Sequence, residues 1–424
     1  MDNTAKTYCK YLFNHVTLYN GKYASPCCRY DGRKQRDPTV TRTKPFTTFT
    51  ETIHSDDWKK LRFQSLNGIR EPGCWKCYEE EERGNTSLRN IANMMGQQTI
   101  FDEVKLEYLE VNLGNHCNLA CKICNSHNSD KWYKDDVVLR EMRLFDRGWY
   151  YPDDWKTDGI KLDIRDYEHV DLIKFVGGEP MIHPEFMPML DFLIDNGLHE
   201  QMQIQVFTNT SWVPKQRIMY RLSQFKQVTI CLSIDGIEEV NDYSRWPSKW
   251  PVVDEAARTW IALQKDSDVF QVRLEPTLSV YNASYITDLF KWWIETSIEV
   301  LEKPFHEAIY NANLENINII LNNVYEPKYL NAKNLHKKKY INESLNEFQR
   351  WCVKNYWEED VHESKHMIKE IRKIINEIKG HLNAEPNFKD METFIKYSKE
   401  LDKLRNLNIA KTLPLLWKNV NGLL

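Results

Sequence analysis

Three cysteines with unequal spacing are the residues of this sequence best suited to chemistry. Cys117, Cys121 and Cys124 fall within the run NHCNLACKICN. Thiolates this close together can wrap one small inorganic group, and iron–sulfur clusters are held by such thiolates. Three protein ligands on a four-iron cluster would leave one iron open, much as catalytic metal sites keep an open position. The alternative is zinc with a fourth ligand such as His116 or His127, although zinc sites more often show paired Cys-x2-Cys arms.

The cysteine triple directly follows a segment whose pattern predicts a β-strand. In residues 108–113 apolar side chains alternate with polar ones, which is typical of a strand with one buried face. Further strand-like segments lie at 172–176, 203–207, 228–234, 269–275 and 317–324, separated by helical stretches such as 130–145, 186–196 and 283–301. Strands that alternate with helices predict a parallel sheet, and about six such units favour an incomplete barrel. Because α/β barrels carry their active sites at the C-terminal ends of the strands, the triple lies where an active site is expected.

After residue 325 the chain is rich in Lys, Asn and Glu, and its apolar residues follow helical spacing. Ile368, Ile371, Ile375 and Ile378 form one such set, with Gly380 as the expected end of the helix. A second set consists of Phe394, Tyr397, Leu401 and Leu404. We interpret both sets as the core-facing sides of amphipathic helices.

Composition limits the classes of function. The chain has 424 residues, enough for two domains, and its net charge of −4 does not favour a basic nucleic-acid surface. No apolar run is long enough to cross a bilayer, and the N-terminus does not read as a secretory signal, so we expect a cytoplasmic protein with no membrane partner. Thiols stay reduced in that compartment. Ten cysteines, eight of them within the first 124 residues, therefore favour metal ligands over disulfides.

The Cys-x3-Cys-x2-Cys triple resembles the signature of the radical SAM superfamily, and other runs extend this resemblance. They are Gly177-Gly-Glu-Pro180, Phe207-Thr-Asn209, Leu232-Ser-Ile-Asp-Gly236 and Asn241-Asp-Tyr-Ser-Arg245, each at the end of an expected strand or just after it. The resemblance implies that Cys117, Cys121 and Cys124 hold a catalytic [4Fe–4S] cluster. It also implies that S-adenosylmethionine (SAM) is bound by Gly177, Gly178, Glu179, Thr208, Asn209, Ser233, Asp235 and Arg245.

A physical interpretation agrees with this assignment. Gly177 and Gly178 would let the backbone approach a ligand closely. Ser233 and Asp235 can hydrogen-bond to ribose hydroxyls, and the guanidinium of Arg245 matches a carboxylate. Taken one at a time, each run also fits a plain turn, a strand end or a surface ion pair.

The N-terminal cysteines Cys9, Cys27, Cys74 and Cys77 make a second set of four thiolates. Their surroundings resemble the twitch domain, a shorter relative of the SPASM domain, and that resemblance implies an auxiliary [4Fe–4S] cluster. Structural zinc is the alternative, since four thiolates suit zinc equally well. Cys28 could replace Cys27 as a ligand, but the family pattern places a cysteine directly after the proline.

The combined resemblance implies an α/β fold. Its parts are an N-terminal twitch-like domain at 1–100, a partial (β/α)6 barrel of radical SAM type at 101–325 and a helical C-terminal extension at 326–424. An external one-electron donor such as flavodoxin or ferredoxin would reduce the barrel cluster, which would split SAM to a 5′-deoxyadenosyl radical.

The substrate cannot be read from the sequence in the same way. A peptide or protein is the expected substrate by resemblance, and a small molecule such as a nucleotide or sugar is the alternative. A non-catalytic zinc-binding scaffold is a further alternative, because a fold can outlive its chemistry. The insertion at 146–170 and the segment from residue 325 are candidates for substrate recognition.

Overall fold

The computed structural model describes residues 7–31, 44–45, 47–82, 84, 86–94, 104–142, 160, 162–311 and 316–420. Most of the insertion expected at 146–170, namely residues 146–159 and 161, lies outside these ranges, as does Arg83 of the twitch-like run. In the described ranges, no helix is both long enough and apolar enough to cross a membrane.

The strands follow one another along the chain in this order. They are β1 (His15–Tyr19), β2 (Tyr23–Ser25), β3 (Lys44–Pro45), β4 (Tyr108–Asn112), β5 (Leu172–Val176), β6 (Gln203–Thr208), β7 (Gln227–Leu232), β8 (Phe270–Leu274), β9 (Thr277–Leu278), β10 (Tyr310–Asn311), β11 (Asn316–Ile317) and β12 (Asn322–Asn323).

The α-helices of the N-terminal half are short. They are α1 (Tyr11–Asn14), α2 (Phe49–Ile53), α3 (Asp56–Leu66), α4 (Trp75–Glu82), α5 (Leu88–Met94), α6 (Tyr133–Glu141), α7 (Phe186–Asp195) and α8 (Gln216–Leu222). The remaining helices include the longest ones, and these are α9 (Glu238–Ser244), α10 (Trp250–Asp266), α11 (Ile286–Leu301), α12 (Phe305–Ala308), α13 (Lys339–Tyr356), α14 (His362–Leu382), α15 (Phe388–Arg405), α16 (Ile409–Thr412) and α17 (Pro414–Val420).

The main sheet has the strand order β3-β2-β1-β4-β5-β6-β7-β8. Strands β1, β4, β5 and β6 run parallel, while β2 pairs antiparallel with β1 and β3 pairs antiparallel with β2 at the edge of the sheet. Along β5 and β6 every second side chain is buried, among them Ile173, Phe175, Ile204 and Val206. This alternation gives each strand one face that packs in the core.

The chain divides into two compact units. The first comprises the described parts of Met1–Gly114, Tyr151–Val206 and Tyr220–Val228, and the second those of Asn115–Tyr150, Phe207–Met219 and Thr229–Leu424. The core of the second unit contains fully buried aromatic side chains, among them Trp132, Tyr243, Tyr281, Trp293 and Tyr397. The division expected from the sequence, with boundaries near 100 and 325, stays a prediction.

The structure confirms the expected α/β fold and the helical C-terminal region. Four local expectations were wrong. Residues 15–25, where no strand was expected, form β1 and β2, and the strand expected at 317–324 is only the short β11 and β12. Helix α14 continues through Gly380 to Leu382, since a glycine within a helix costs only about 1 kcal/mol. Leu404 on α15 is exposed, and its neighbour Arg405 is the buried residue.

Candidate functional site

The three cysteines of the motif lie together in the second unit. Cys117 and Cys121 are buried, Cys124 is half-buried, and all three belong to one apolar cluster that includes Leu119. A hydrogen bond between the Cys121 and Cys124 side chains joins two of the thiols. The folded loop therefore gathers the three sulfurs that the sequence singled out.

The charges around these thiols favour the form that binds metal. The hydrogen bond from Cys124 lowers the pKa of Cys121 to about 7 in spite of burial, and the guanidinium groups of Arg245 and Arg405 lower it further. The same hydrogen bond and burial raise the pKa of Cys124 well above its usual value. Since metal ligands are thiolates, nearby cations stabilise the state that a cluster would need.

Four consecutive carbonyl groups of this loop accept hydrogen bonds from side chains. Ser129 Oγ donates to the carbonyl of Leu119, Arg405 Nη1 to that of Ala120 at 2.7 Å, Trp132 Nε1 to that of Cys121 at 3.0 Å, and Tyr397 Oη to that of Lys122 at 3.1 Å. The amides of Ala120 and Lys122 donate to the carbonyls of Trp246 and Ser244. Buried backbone groups need such partners, and here they also fix the path of a loop without regular secondary structure.

The segment after β6 braces the same loop. Asn209 Nδ2 lies 3.6 Å from the Cys117 sulfur and donates to Asn118 Oδ1 at 2.8 Å. Thr208 is buried, and its carbonyl accepts from the amide of Ser233 at 2.9 Å. The structure thus brings Thr208, Asn209 and Ser233 close to the cysteine loop or to one another.

Asp235 and Arg245 form a buried ion pair in the second unit. Arg245 Nη1 lies 2.7 Å from Asp235 Oδ2, and the other oxygen of Asp235 accepts from the amide of Thr277 at 2.8 Å. Arg245 Nε is buried and has no hydrogen-bond partner among the described residues. A buried donor beside the thiols, without a partner of its own, suits an anionic group on a ligand.

Gly177, Gly178 and Glu179 lie in the first unit, where β4 and β5 end side by side. The amide of Gly178 donates to the carbonyl of Gly114 at 2.7 Å. Gly177 has a φ of 134°, and a Cβ built there would lie 2.7 Å from that same carbonyl oxygen. Glycine is therefore required here by the contact between two backbones, whereas the sequence suggested an approach to a ligand. Glu179 is fully buried.

The four N-terminal cysteines line one cavity of the first unit. Its wall contains Cys9, Cys27, Cys74 and Cys77, with Tyr11, Arg29, Tyr30, Leu88 and Arg89. Burial raises the pKa of Cys9 to about 12, and it raises the pKa values of Cys27 and Cys74 well above the usual range, with neighbouring thiols adding to the shift. Several thiolates this close together repel one another, so a bound cationic group would be needed to hold all four ionised.

Cys28 is placed differently from Cys27. As a whole residue Cys28 is exposed and does not line the cavity, and its thiol hydrogen-bonds to Glu110. His116, considered as a zinc ligand, is half-exposed and pairs through Nδ1 with Asp130 at 2.9 Å. Among the residues that the structure describes, no three His, Cys, Asp or Glu side chains are arranged to hold a single metal ion.

Two curated proteins resemble this chain in sequence, and no family model matches it. An S-adenosylmethionine-dependent nucleotide dehydratase of Selenomonas ruminantium is 26% identical over 129 residues, which is 30% of this chain and 39% of that protein. A 7-carboxy-7-deazaguanine synthase of Halobacterium salinarum is 26% identical over 87 residues, 20% of this chain and 27% of that protein. Both are radical SAM enzymes. Over these stretches this chain is similar to radical SAM enzymes. It matches less than two fifths of the length of either relative.

Solved structures overlap with this chain over part of its length. A structure of anSMEcpe with bound AdoMet is 15% identical, with 59% of this chain and 57% of that chain covered and a TM-score of 0.36. A structure of Streptococcus suis SuiB bound to precursor peptide SuiA is 14% identical, with 68% and 62% covered and a TM-score of 0.34.

The motifs did not point to four residues that lie in the cysteine loop or contact it. They are Lys122, Tyr397, Asp402 and Arg405. A signal was present on α15, where Arg405 follows the apolar Leu401 by four residues and Asp402 lies three residues before Arg405, and all three are buried. A charged residue on an apolar helix face needs a buried partner, but the sequence does not say which.

Proposed function

We propose that this chain reductively cleaves SAM at a [4Fe–4S] cluster held by Cys117, Cys121 and Cys124. The observation that carries this proposal is the gathering of these three sulfurs beside the Arg245 guanidinium, in a loop whose backbone is fixed on all sides. When bound, the cluster supplies the electron that splits SAM into methionine and a 5′-deoxyadenosyl radical, which abstracts hydrogen from a substrate.

The residues around the loop have distinct parts in this proposal. Asn209 orients the Cys117 sulfur, and the buried cations Arg245 and Arg405 stabilise thiolates. Arg245 Nε and Asp235 are proposed to contact SAM, together with Thr208 and Ser233. Gly177, Gly178 and Glu179 are proposed, by the resemblance alone, to bind its amino group. Because these hydrogen-bond donors are buried and already in position, they do not have to reorient when charge develops during the reaction.

We further propose an auxiliary [4Fe–4S] cluster on Cys9, Cys27, Cys74 and Cys77. The four thiols share one cavity, and burial and the neighbouring thiols raise the pKa of Cys27. Both observations support a bound cationic group that stabilises the thiolates there. The donor set alone also suits zinc, so iron analysis must decide between the two.

A peptide or protein is the proposed substrate class, with an external flavodoxin or ferredoxin as the electron donor. A nucleotide is the second candidate, because one curated relative is a nucleotide dehydratase. To distinguish the two, peptides and nucleoside triphosphates are compared for their effect on 5′-deoxyadenosine release. The substrate should raise the rate of release above the rate measured without substrate. Transfer of deuterium from a labelled substrate into 5′-deoxyadenosine identifies the substrate that loses hydrogen.

The chemistry is tested by anaerobic reconstitution. Two four-iron clusters predict about eight irons per chain, and dithionite with SAM should yield 5′-deoxyadenosine. Cys121→Ala should lose about four irons and all of that product. Cys352→Ala, which removes a buried thiol on α13, is the matched control and should retain both. A fully iron-loaded wild-type chain that makes no 5′-deoxyadenosine contradicts the proposal, and zinc without iron supports the non-catalytic scaffold.

A further inference from the structure

We infer that α15 is a built-in clamp for the cysteine loop, and that Tyr397 and Arg405 are positioning residues for the cluster ligands. This inference rests on the proposed function for its purpose, but its geometry can be tested separately. Neither residue belongs to the motifs of the resemblance, and both come from the C-terminal segment that we first considered for substrate recognition.

Tyr397 and Arg405 bind the loop at the residues before and after Cys121. Arg405 Nη1 donates to the carbonyl of Ala120 at 2.7 Å, and Tyr397 Oη donates to the carbonyl of Lys122 at 3.1 Å. These two carbonyls belong to the residues directly before and after Cys121. The Ala120 carbonyl belongs to the peptide group before Cys121, and the Lys122 carbonyl belongs to the peptide group that follows Lys122. The peptide group between these two is held by Trp132 Nε1, which donates to the Cys121 carbonyl at 3.0 Å. The three bonds together fix three successive peptide groups and so restrict where the Cys121 sulfur points.

The Arg405 side chain is itself fixed by contacts with its neighbours. Its side chain is only 1% exposed, and Nε lies 2.8 Å from Asp135 Oδ2. The guanidinium carbon lies 4.4 Å from the ring centre of Trp132 and 4.7 Å from that of Trp246, so two indole rings contact it. Trp132 itself donates to the carbonyl of Cys121, and Trp246 accepts from the amide of Ala120. Loop, indoles and arginine therefore form one connected network.

An ion pair ties α15 to the same stretch of loop. Lys122 Nζ lies 2.7 Å from Asp402 Oδ1 and 3.9 Å from the ring centre of Tyr243. Asp402 also accepts from Tyr243 Oη at 2.8 Å and from the amide of Ile409 at 2.6 Å. Residues 397, 402 and 405 thus use one face of a single helix to hold residues 120 and 122 through hydrogen bonds and charge.

Groups that orient metal ligands without touching the metal have measurable effects on metal retention. The loop between Cys117 and Cys124 has no helix or strand of its own in the structure. Loss of either α15 contact should therefore let the sulfurs sample other directions and release iron faster.

The test is chelator-driven iron release from the anaerobically purified full chain, followed by alkylation and peptide mapping of each cysteine. Tyr397→Phe removes only the hydroxyl that donates to the Lys122 carbonyl. Arg405→Lys keeps the positive charge but cannot bind the Ala120 carbonyl and the Asp135 carboxylate at once as the guanidinium does. We expect each to speed alkylation of Cys117, Cys121 and Cys124 by about fivefold, the effect of one buried hydrogen bond. The N-terminal cysteines should label at the wild-type rate and serve as an internal control.

Ser398→Ala is the matched control on the same helix. Ser398 Oγ hydrogen-bonds to Tyr281 Oη at 2.9 Å, and none of the described contacts of Ser398 reaches the loop. Equal labelling rates in Tyr397→Phe, Ser398→Ala and wild type overturn the clamp. If Arg405→Lys fails to fold, Tyr397→Phe still decides the question.

The two proposals fail in different ways. A wild-type chain that makes no 5′-deoxyadenosine but shows faster loop labelling in Tyr397→Phe contradicts the proposed function and supports the clamp. Normal 5′-deoxyadenosine formation with unchanged labelling supports the function and contradicts the clamp.

Discussion

Lys122 and Asp402 lie 280 positions apart in the chain, and their Nζ and Oδ1 atoms are 2.7 Å apart. The lysine side chain is fully buried and that of the aspartate is 7% exposed. Burial lowers the pKa of Lys122 to about 8, and Asp402 opposes this shift. Each charge therefore depends on the other to remain in the core.

Removal of Lys122 should be costly because it leaves Asp402 as an uncompensated buried charge. Lys122→Met is expected to lower the free energy of unfolding by about 3–5 kcal/mol. The double variant Lys122→Met with Asp402→Asn should lose less than the sum of the two single losses. Urea unfolding followed by circular dichroism measures all three variants.

Lys265→Met, which breaks the largely exposed pair with Glu302, is the control and should lower the free energy of unfolding by less than about 1 kcal/mol. A loss for Lys122→Met no larger than that for Lys265→Met would show that the buried pair adds nothing.

The two adjacent cysteines of the N-terminal site should behave differently. Cys27 lines the cavity with Cys9, Cys74 and Cys77, whereas Cys28 does not. Cys27→Ala is therefore expected to lose about four of about eight irons, and Cys28→Ala should lose none. Iron analysis of reconstituted protein gives the answer, with Cys352→Ala as the common control. The reverse pattern would assign the ligand to Cys28.

Two glycines should respond to alanine with opposite signs. Gly177 has a φ of 134° and its added Cβ would lie 2.7 Å from the carbonyl oxygen of Gly114. Gly177→Ala is therefore expected to lower the free energy of unfolding by about 2–3 kcal/mol. Gly380 lies within α14, where an added Cβ meets no atom within 4 Å. Gly380→Ala should raise stability by about 0.5–1 kcal/mol. Urea denaturation measures both changes, and a neutral Gly177→Ala would show that the two backbones can separate freely.

The buried His15 should make the protein less stable in mild acid. Burial lowers the pKa of His15 to about 4, with Lys174 adding to this effect and Glu110 and the carbonyl of Pro26 opposing it. The unfolded chain takes up a proton near pH 6.5 that the folded chain refuses until about pH 4. Stability is thus lost progressively as pH falls between these values, by up to about 3 kcal/mol for this residue.

The His15→Asn variant isolates that contribution. Its free energy of unfolding should fall less steeply than that of wild type between pH 6.5 and 4, while the two curves run parallel above pH 7. Urea titrations at several pH values measure the slopes. Identical slopes below pH 6.5 would mean that His15 titrates normally in the folded protein.

Much of the fold could be predicted because its strands carry local patterns. Strands β4 to β8 were expected within two residues of where they occur, since each has buried side chains on alternate positions or a continuous apolar run. Strand β1, HVTLY, was missed because four successive residues are buried and two of them, His15 and Thr17, are polar, so its burial does not follow its apolar pattern. It is defined instead by its parallel register with β4, in which Val16 lies opposite Leu109. Pairing between distant segments leaves no local mark on the sequence.

The site was predictable only where its chemistry depends on residue type and spacing. Three cysteines in eight positions predict a set of metal ligands. The residues that hydrogen-bond to the backbone of this loop carry no comparable signal in the sequence. Tyr397 was expected to be a core residue, and it is buried, but the hydrogen bond from its hydroxyl to Lys122 depends on the packing of α15 against the loop. Asp402 and Lys122 each looked like an ordinary charged residue until the fold placed them together.

The contact between α15 and the cysteine loop also has a consequence for the timing of biosynthesis. Asp402 is translated 280 residues after Lys122. At common rates of protein synthesis this is a delay of about 15–55 seconds. A newly made loop, with three free thiols, therefore lacks its contacts with α15 until that helix emerges from the ribosome. Delivery of iron and sulfide that follows release from the ribosome would meet a finished binding site, whereas earlier delivery would meet an unsupported loop.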